Sequence, residues 1–331
     1  MVGLEHSLPA PSVPPRVDYV ALGPGAPLAP EVLAAVVFGS PPSGPRDPRR
    51  VHVGLSPLPA AATVELWRAA GSVETGQEGL LRFAADTDHL AGVVELDERE
   101  VGGLAAAAER AYATLRRFQS TSAHPHLLRA WNYFDAINHG SADEERYKQF
   151  CLGRARGLAP WPASRYPAAS AIGRRDGEPI LQVVFVAGRA RGIPLENPRQ
   201  VSAYHYPRRY GPAAPSFARA MIVGQRLLLI SGTASIVGHA SRHTGSLTAQ
   251  IDESLANLES ILTHASAAQP AMSPRWGARS LFKVYLRDSA SAQQAAAHLA
   301  RRLPPGARYL ILEADICRSE LLVEIECVHD S

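Results

Sequence analysis

The 331-residue sequence predicts an α+β protein in which two similar units follow one another behind an N-terminal extension. The order strand-strand-helix-strand-helix-strand-strand occurs twice at a spacing of about 140 residues, which indicates a duplicated unit. The length also exceeds the usual size of a single domain. We therefore expect an N-terminal domain over residues 1–190 and a C-terminal domain over residues 191–331, each a mixed sheet with helices on one face.

The extension before the repeat has a less regular pattern. Residues 1–16 are rich in proline and predict an extended arm, without the apolar run of a signal peptide. Residues 30–38 predict a short helix, and Gly23-Pro24-Gly25 predicts a turn, because a phosphate-binding loop would need a third glycine and a following helix. The other elements predicted here are strands over residues 17–22, 51–55 and 63–67 and a loop over residues 41–50.

The repeat supplies the remaining elements. Leu247, Ile251 and Leu255 follow helical spacing in the second unit, and Leu104 and Ala108 belong to a mostly small-residue helix face in the first. The first unit is predicted to contain strands 80–85 and 89–96, helix 98–118, strand 127–134, helix 143–158, and strands 168–174 and 180–187. The second is predicted to contain strands 217–223 and 227–231, helix 247–265, strand 280–287, helix 290–303, and strands 309–316 and 321–328.

Composition and motifs limit the possible functions. The formal charge of +3 is spread along the chain, which argues against a nucleic-acid surface, and no apolar run approaches the length of a membrane span. The three cysteines lack CxxC spacing, which favours a reducing, cytoplasmic location over a disulfide framework or zinc site. No GxSxG, HExxH, Walker or complete dinucleotide motif occurs, so we expect neither a metal nor an organic cofactor.

The last predicted strand carries a candidate acid. Alternation places Glu324 and Glu326 on one face and Val323 and Ile325 on the other. A solvent-facing sheet face is the simplest explanation of two carboxylates. Alternatively, apolar neighbours would raise the pKa of Glu324 and suit it to act as a general acid, while Glu326 would raise that pKa further or pair with an arginine.

Other segments offer groups that bind ligands. Tyr147 and Arg154 share one face of the second helix of the first unit, although a surface ion pair with a neighbouring glutamate is an equal alternative for the arginine. Arg219 lies on the first strand of the second unit, and residues 231–235 predict a turn whose amides could bind a carboxylate. Residues 188–216, rich in Arg, Pro and Tyr, predict an ordered loop that forms a binding wall. Such a set suits a small dianion whose reaction needs only proton transfer.

These residues resemble a known family. The second half, which ends in Val323-Glu324-Ile325-Glu326, is similar to a RidA/YjgF domain with its chorismate mutase-like fold. Over residues 125–329 the chain more specifically resembles the chorismatases of actinomycete secondary metabolism. The motifs that carry this resemblance include WNY (131–133), ERYKQFC (145–151), YPAA (166–169), NPRQVSAY (197–204) and ADICR (314–318).

The resemblance implies that chorismate is cleaved to pyruvate and a ring product without a metal or organic cofactor. Glu324 matches the acid that protonates the enolpyruvyl methylene carbon in this family. The substrate-binding residues that the resemblance implies are Tyr147, Arg154, Tyr210 and Arg219. Because Arg154 and Arg219 come from different halves, we expect the site where the halves meet.

The resemblance also implies that Cys317 and the small residue Ala234 shape the product. Displacement of the enolpyruvyl group by the ring hydroxyl gives 3-hydroxybenzoate through an arene oxide, whereas displacement by water gives a dihydrodiol. A cysteine at this position is similar to the 3-hydroxybenzoate-forming members, so we favour that product. A plain buried cysteine is the alternative.

Two other functions stay open at this point. An enamine or imine deaminase of the RidA kind is a homotrimer that holds its substrate with an arginine on the strand before the last one. Arg308 is the nearest candidate, although Tyr309 occupies the matching position. A non-enzymatic metabolite-binding module would use the same cleft without needing Glu324. The predicted protein is a monomer or a RidA-like trimer.

Overall fold

The structure is a computed structural model that describes residues 13–23, 25–39, 47–59 and 63–331. The predicted arm and the predicted loop over residues 41–50 lie largely outside these residues, as does Pro24 of the predicted turn. The strands of the N-terminal extension are β1 (Arg16–Ala21), β2 (Val32–Phe38), β3 (Arg50–Val53), β4 (Ser56–Pro57) and β5 (Thr63–Arg68). Four of them form a sheet of order β1-β5-β2-β3.

The short helix predicted over residues 30–38 is wrong, because this segment forms β2. Val32 to Val36 are all buried, so both faces of the strand lie in the protein interior. A short run that is apolar on both sides has no periodicity by which a strand can be told from a helix. The β-branched valines in the run favour the strand.

The first unit adds six strands, which form a sheet of order β10-β9-β11-β8-β7-β6. It also contains two helices and a short helical turn. The helix predicted over residues 98–118 is broken into two because Gly102 and Gly103 have φ angles of 88° and 103°. The elements are β6 (Glu74–Glu78), β7 (Leu81–Ala85), β8 (His89–Asp97), α1 (Glu98–Val101), α2 (Leu104–Thr121), β9 (His126–Asp135), α3 (Arg146–Leu158), β10 (Ala168–Arg174) and β11 (Ile180–Gly188).

The second unit repeats this arrangement in a sheet of order β12-β13-β14-β19-β17-β18-β4. Strand β4 of the extension therefore completes its edge. The elements are β12 (Ile193–Leu195), β13 (Ala220–Val223), β14 (Leu227–Ala234), β15 (Ile236–Val237), β16 (Ala240–Ser241), α4 (Leu247–Ala268), β17 (Ser280–Leu286), α5 (Ala292–Arg302), β18 (Arg308–Glu313) and β19 (Val323–Asp330).

The two units share one topology, which confirms the predicted α+β fold of tandem repeats. The order β10-β9-β11-β8-β7 corresponds strand for strand to β18-β17-β19-β14-β13. In both units the only parallel pair among these strands joins the two that flank the last helix, β9 with β10 and β17 with β18. Strands β6 and β12 were not predicted.

The three sheets pack around a shared core. Leu33 of the N-terminal sheet, Val184 of the first unit and Tyr285 of the second belong to the same cluster of buried residues. The helices cover the outer faces of the two unit sheets. Because the core is shared, the division into domains 1–190 and 191–331 stays a prediction. In the described part of the chain, no helix is both long and apolar enough to cross a membrane.

Small residues allow close packing of α2 on α3, a contact that was not predicted. A side chain at Gly153 would place its Cβ 2.0 Å from the carbonyl oxygen of Ala105. The units also meet directly at β10, where the amide of Ala169 donates to Ser231 Oγ at 2.8 Å and Ala168 forms a bridge with Ala218. This junction of β10 with the second unit forms the floor of a deep cleft.

Candidate active site

A cleft between the two units encloses about 1210 Å³ of empty space, including its open mouth. Its walls come from α3 and β10 of the first unit and from β14, β19 and two connecting segments of the second. The structure brings all of the predicted site residues into this cleft, although their roles stay predictions. They are Tyr147, Arg154, Tyr210, Arg219, Ala234, Cys317 and Glu324.

Glu324 points into the cleft from β19 with only 4% of its surface exposed. Burial, followed by the negative charge of Glu326, raises the pKa of Glu324 to about 8. The carboxyl is therefore mostly protonated at neutral pH. The interpretation of this face as a solvent-facing sheet surface is wrong.

Glu326 is the charged member of the pair. Its carboxylate accepts hydrogen bonds from Arg129 Nη2 at 2.7 Å, Trp131 Nε1 at 2.7 Å, Ser170 Oγ at 2.6 Å and Lys283 Nζ at 2.8 Å. Burial alone would raise the pKa of Glu326, but the two cations and these bonds lower it to about 2. Glu324 makes none of these bonds.

The buried cluster around Glu326 is balanced in charge. Lys283 also pairs with Glu65 at 2.6 Å, so two cations face two carboxylates. All four side chains are at least 94% buried. Because its charges compensate one another, the cluster leaves no surplus cation to ionise Glu324.

Gly232 makes room for the Glu324 carboxyl. The predicted turn over residues 231–235 is wrong, because these residues largely continue β14, which shifts register against β19 between Ile230 and Thr233. A Cβ on Gly232 would lie 1.8 Å from Glu324 Oε1. The amide of Gly232 donates to Ser170 Oγ at 2.9 Å, so it is not available to bind a carboxylate.

Arg154 is buried in the cleft wall with unused donors. It is 3% exposed, and its guanidinium lies 4.7 Å above the ring of Tyr112. Within the described residues, its Nε and Nη2 have no hydrogen-bond partner. The alternative of a surface ion pair is wrong, because Glu145 pairs with Lys148 at 3.1 Å instead. A buried guanidinium of this kind provides a site for an anion.

Arg219 faces the same cleft from the second unit. It is 4% exposed and lies just before β13. Its Nη2 donates to the Val201 carbonyl at 3.0 Å and to the Tyr206 hydroxyl at 2.8 Å, while Nε has no partner among the described residues. Two buried arginines from different units therefore flank one buried neutral carboxyl.

The comparisons with known proteins agree with this geometry. The family model "Chorismatase FkbO/Hyg5-like, N-terminal" matches residues 65–187. The chain is 34% identical over 279 residues to a 3-hydroxybenzoate synthase of Streptomyces hygroscopicus, which covers 80% of each protein. It is 34% identical over 278 residues to a chorismatase of Streptomyces rapamycinicus, covering 80% of this chain and 81% of the relative.

The chain belongs to the chorismatase family. A crystal structure of a chorismatase also matches 95% of this chain and 98% of its own with a TM-score of 0.86 and 32% sequence identity. The two tandem units are thus part of a fold that a solved chorismatase shares.

Cys317 borders the cleft of this chorismatase as a neutral thiol. It is partly buried and packs against a small apolar cluster that includes Ala234 and Ile316. Burial raises the pKa of Cys317 to about 12, so the thiolate is not formed at neutral pH. The residue can shape the cleft, but it is unsuited to act as a nucleophile.

Tyr147 contributes a neutral hydroxyl from α3. Burial raises the pKa of its phenol well above the usual value, and the side chain is hydrogen-bonded to the Cys151 thiol. Burial likewise raises the pKa of Cys151 to about 12. Tyr147 and Cys151 therefore add uncharged hydrogen-bonding groups to the wall from which Arg154 also faces the cleft.

The mouth of the cleft contains residues that sequence reasoning did not select. The guanidinium of Arg318 lies 4.2 Å above the ring of Tyr210, and its Nη1 donates to the His239 carbonyl at 3.0 Å. His239 Nδ1 lies 3.2 Å from the Tyr210 hydroxyl and 2.9 Å from Arg209 Nη2. Arg209 lies in the predicted binding loop over residues 188–216, and Arg318 ends the ADICR motif, but only the fold shows that both arginines face the cleft.

Arg308 does not supply the carboxylate-binding arginine of a deaminase. Its side chain is exposed and forms an ion pair with Asp18 of β1. It lies outside the lining of the cleft. Arg308 therefore does not face the cleft, as expected from the position of Tyr309 in the sequence.

Proposed function

We propose that this protein cleaves chorismate to pyruvate and 3-hydroxybenzoate, with Glu324 as the proton donor. The observation that carries the proposal is a buried carboxyl, protonated at neutral pH, in a cleft where two buried arginines have donors without a partner in the part of the chain that the structure describes. Similarity to a relative named 3-hydroxybenzoate synthase supports the choice of product.

The charges of chorismate match the walls of the cleft. The molecule has a carboxylate on its ring and another on its enolpyruvyl group. Arg154 binds one of them and Arg219 binds the other, each through donors that have no partner among the described residues. The hydroxyl groups of Tyr147 and Tyr210 contact the polar edge of the ring.

The reaction begins with transfer of the Glu324 proton to the terminal methylene carbon of the enolpyruvyl group. The π electrons of that double bond form the new C–H bond, and the positive charge that develops is shared with the ether oxygen. The bond from this oxygen to the ring carbon then breaks, and its electrons leave with pyruvate. A protonated acid is needed for the first step, and burial of Glu324 provides it.

The neighbouring ring hydroxyl completes the reaction. Its oxygen forms the new bond to the ring carbon, and the proton that it loses restores the Glu324 carboxyl. The resulting arene oxide opens to 3-hydroxybenzoate, so that no water is consumed. The neutral Cys317 thiol and the small side chain of Ala234 border the cleft and limit the entry of competing water.

Incubation of the purified protein with chorismate tests this function. Pyruvate release is followed together with chromatography of the ring product, without added nucleotide. Equal amounts of pyruvate and 3-hydroxybenzoate are expected. Pyruvate with 3,4-dihydroxycyclohexa-1,5-diene carboxylate would replace the proposed product by the hydrolytic one, and the absence of pyruvate would contradict chorismate cleavage and favour a deaminase or a binding module.

A further inference from the structure

The turn between β18 and β19 forms one wall of the cleft and carries the residues nearest to its mouth. Cys317, Arg318, Ser319 and Glu320 all line the cleft. The turn is irregular, and its own backbone bond joins the Leu321 amide to the Arg318 carbonyl at 3.1 Å. Its other carbonyl groups must be satisfied by side chains or by water.

One guanidinium bonds most of the turn's remaining carbonyls, while Gln250 Nε2 donates to the Glu320 carbonyl at 3.0 Å. Arg287 follows β17, and its Nη2 donates to the carbonyl oxygens of Ile316 and Arg318, both at 3.0 Å. These are the residues on either side of Cys317. The Nε of Arg287 donates to the Leu321 carbonyl at 2.8 Å. Three carbonyl groups of the turn therefore accept hydrogen bonds from one side chain, and two of them, at Ile316 and Leu321, lack the backbone bond that the Arg318 carbonyl receives.

The same guanidinium reaches across to the first unit. Its Nη1 donates to Asn138 Oδ1 at 3.1 Å and pairs with the Asp315 carboxylate. Asn138 lies just after β9, and Asp315 is bridged to Gly173 of β10 through two backbone bonds of 2.8 and 2.9 Å. The turn is thereby fixed relative to the wall of the cleft that the first unit provides.

We propose that Arg287 is a positioning residue that determines the product by holding the backbone on both sides of Cys317. The inference rests on the proposed function. A planar guanidinium can satisfy several carbonyls at fixed directions, which an ammonium cannot do. Without Arg287 the turn relaxes, the Cys317 thiol leaves its place, and water competes with the ring hydroxyl.

Asp315 has a second cationic partner besides Arg287. Arg175 also pairs with Asp315, with Nη2 at 2.6 Å and Nε at 3.0 Å from its carboxylate oxygens. Arg175 contacts Glu313 besides, and none of its hydrogen bonds reaches a carbonyl of the turn. Arg175→Ala is therefore a matched control that removes a cation from Asp315 but leaves the three carbonyl bonds.

The test compares product ratios of Arg287→Met, Arg287→Lys and Arg175→Ala with the wild-type protein acting on chorismate. Arg287→Met should raise the ratio of dihydrodiol to 3-hydroxybenzoate about tenfold, which corresponds to a relative change of about 1.36 kcal/mol in the two competing barriers. Arg287→Lys should give an intermediate ratio, and Arg175→Ala should keep the wild-type ratio. Cys317→Ala should raise the same ratio, because Arg287 is proposed to act through Cys317, and a wild-type ratio in this variant would overturn the inference.

Amide hydrogen exchange of a peptide that spans residues 314–322 provides a readout without substrate. Faster exchange is expected in both Arg287 variants and wild-type exchange in Arg175→Ala. If Arg287→Met fails to fold, the product ratio and amide exchange of Arg287→Lys test the inference instead. Wild-type product ratios in both Arg287 variants, or an equal shift in Arg175→Ala, would overturn the inference alone. Absence of pyruvate from the wild-type protein would overturn the proposed function and this inference with it.

Discussion

Glu324 and Glu326 lie two residues apart on the same face of β19, but their surroundings hold their pKa values at about 8 and about 2. One carboxyl is kept protonated by burial and by the charge of the other, which is itself compensated by Arg129 and Lys283. Two carboxyl groups whose pKa values are separated in this way are typical of acid catalysis. The cleft thereby keeps a proton donor available at neutral pH.

The rate of pyruvate release should fall as the pH rises through about 8. Glu324 must be protonated to act, and its protonated fraction decreases about tenfold for each pH unit above its pKa. The dependence of kcat/KM on pH measures this group in the free enzyme. A rate that stays constant well above pH 8 would show that Glu324 does not donate the proton.

Glu326→Gln should move this alkaline limb to lower pH. The substitution removes the negative charge that raises the pKa of Glu324 and leaves Arg129 and Lys283 balanced by Glu65 alone, and both changes favour ionised Glu324. It should also lower the free energy of unfolding by about 3–5 kcal/mol, because a buried ion pair is broken. Glu320→Gln, at an exposed glutamate of the cleft mouth, is the control and should do neither.

Gly232→Ala should lower kcat by about 10²-fold, the loss that a displacement of about 1 Å in a catalytic group can cause. The added Cβ would lie 1.8 Å from Glu324 Oε1 and force the carboxyl away. Gly277→Ala provides a matched control, since nothing lies within 4 Å of its Cβ. The measurement is steady-state kcat of the two variants with chorismate. Equal kcat values would contradict the claim that Gly232 makes room for the Glu324 carboxyl.

Arg154→Ala should raise KM for chorismate, with a loss of binding of about 2–5 kcal/mol when one member of a buried charge pair is truncated. Its thermal stability should fall only by the loss of packing on Tyr112, because Nε and Nη2 have no hydrogen-bond partner to lose among the described residues. Arg156→Ala on the exposed side of the same helix is the control. An unchanged KM in Arg154→Ala would contradict its role in binding.

Much of the fold follows from the sequence because its periodic elements occur twice. The strand at residues 168–174 agrees with the prediction at both ends, and Leu247 begins α4 as expected. Residues 30–38 were wrongly predicted as a helix, because an apolar run without alternation fits a strand and a helix equally. Gly102 and Gly103 divide a helix that periodicity alone would continue.

The site was less accessible to sequence reasoning than the fold. Glu324 could be selected from the pattern of its strand, but the partners that set its environment come from all three sheets. Arg129 is 197 positions from Glu326 in the chain, and Glu65 and Lys283 are further apart than that. Arg287 could not be selected, because its role depends on carbonyl groups that come together only in the folded turn.

The most direct test of Glu324 as the proton donor is a comparison of Glu324→Gln with the wild-type protein in single-turnover pyruvate release and equilibrium binding of chorismate. Glutamine keeps the size and neutrality of the protonated side chain but has no acidic proton. We predict that the rate falls by about 10²–10⁴-fold, while the dissociation constant stays close to that of the wild-type protein. Pyruvate release at the wild-type rate would contradict the assignment of Glu324 as the acid.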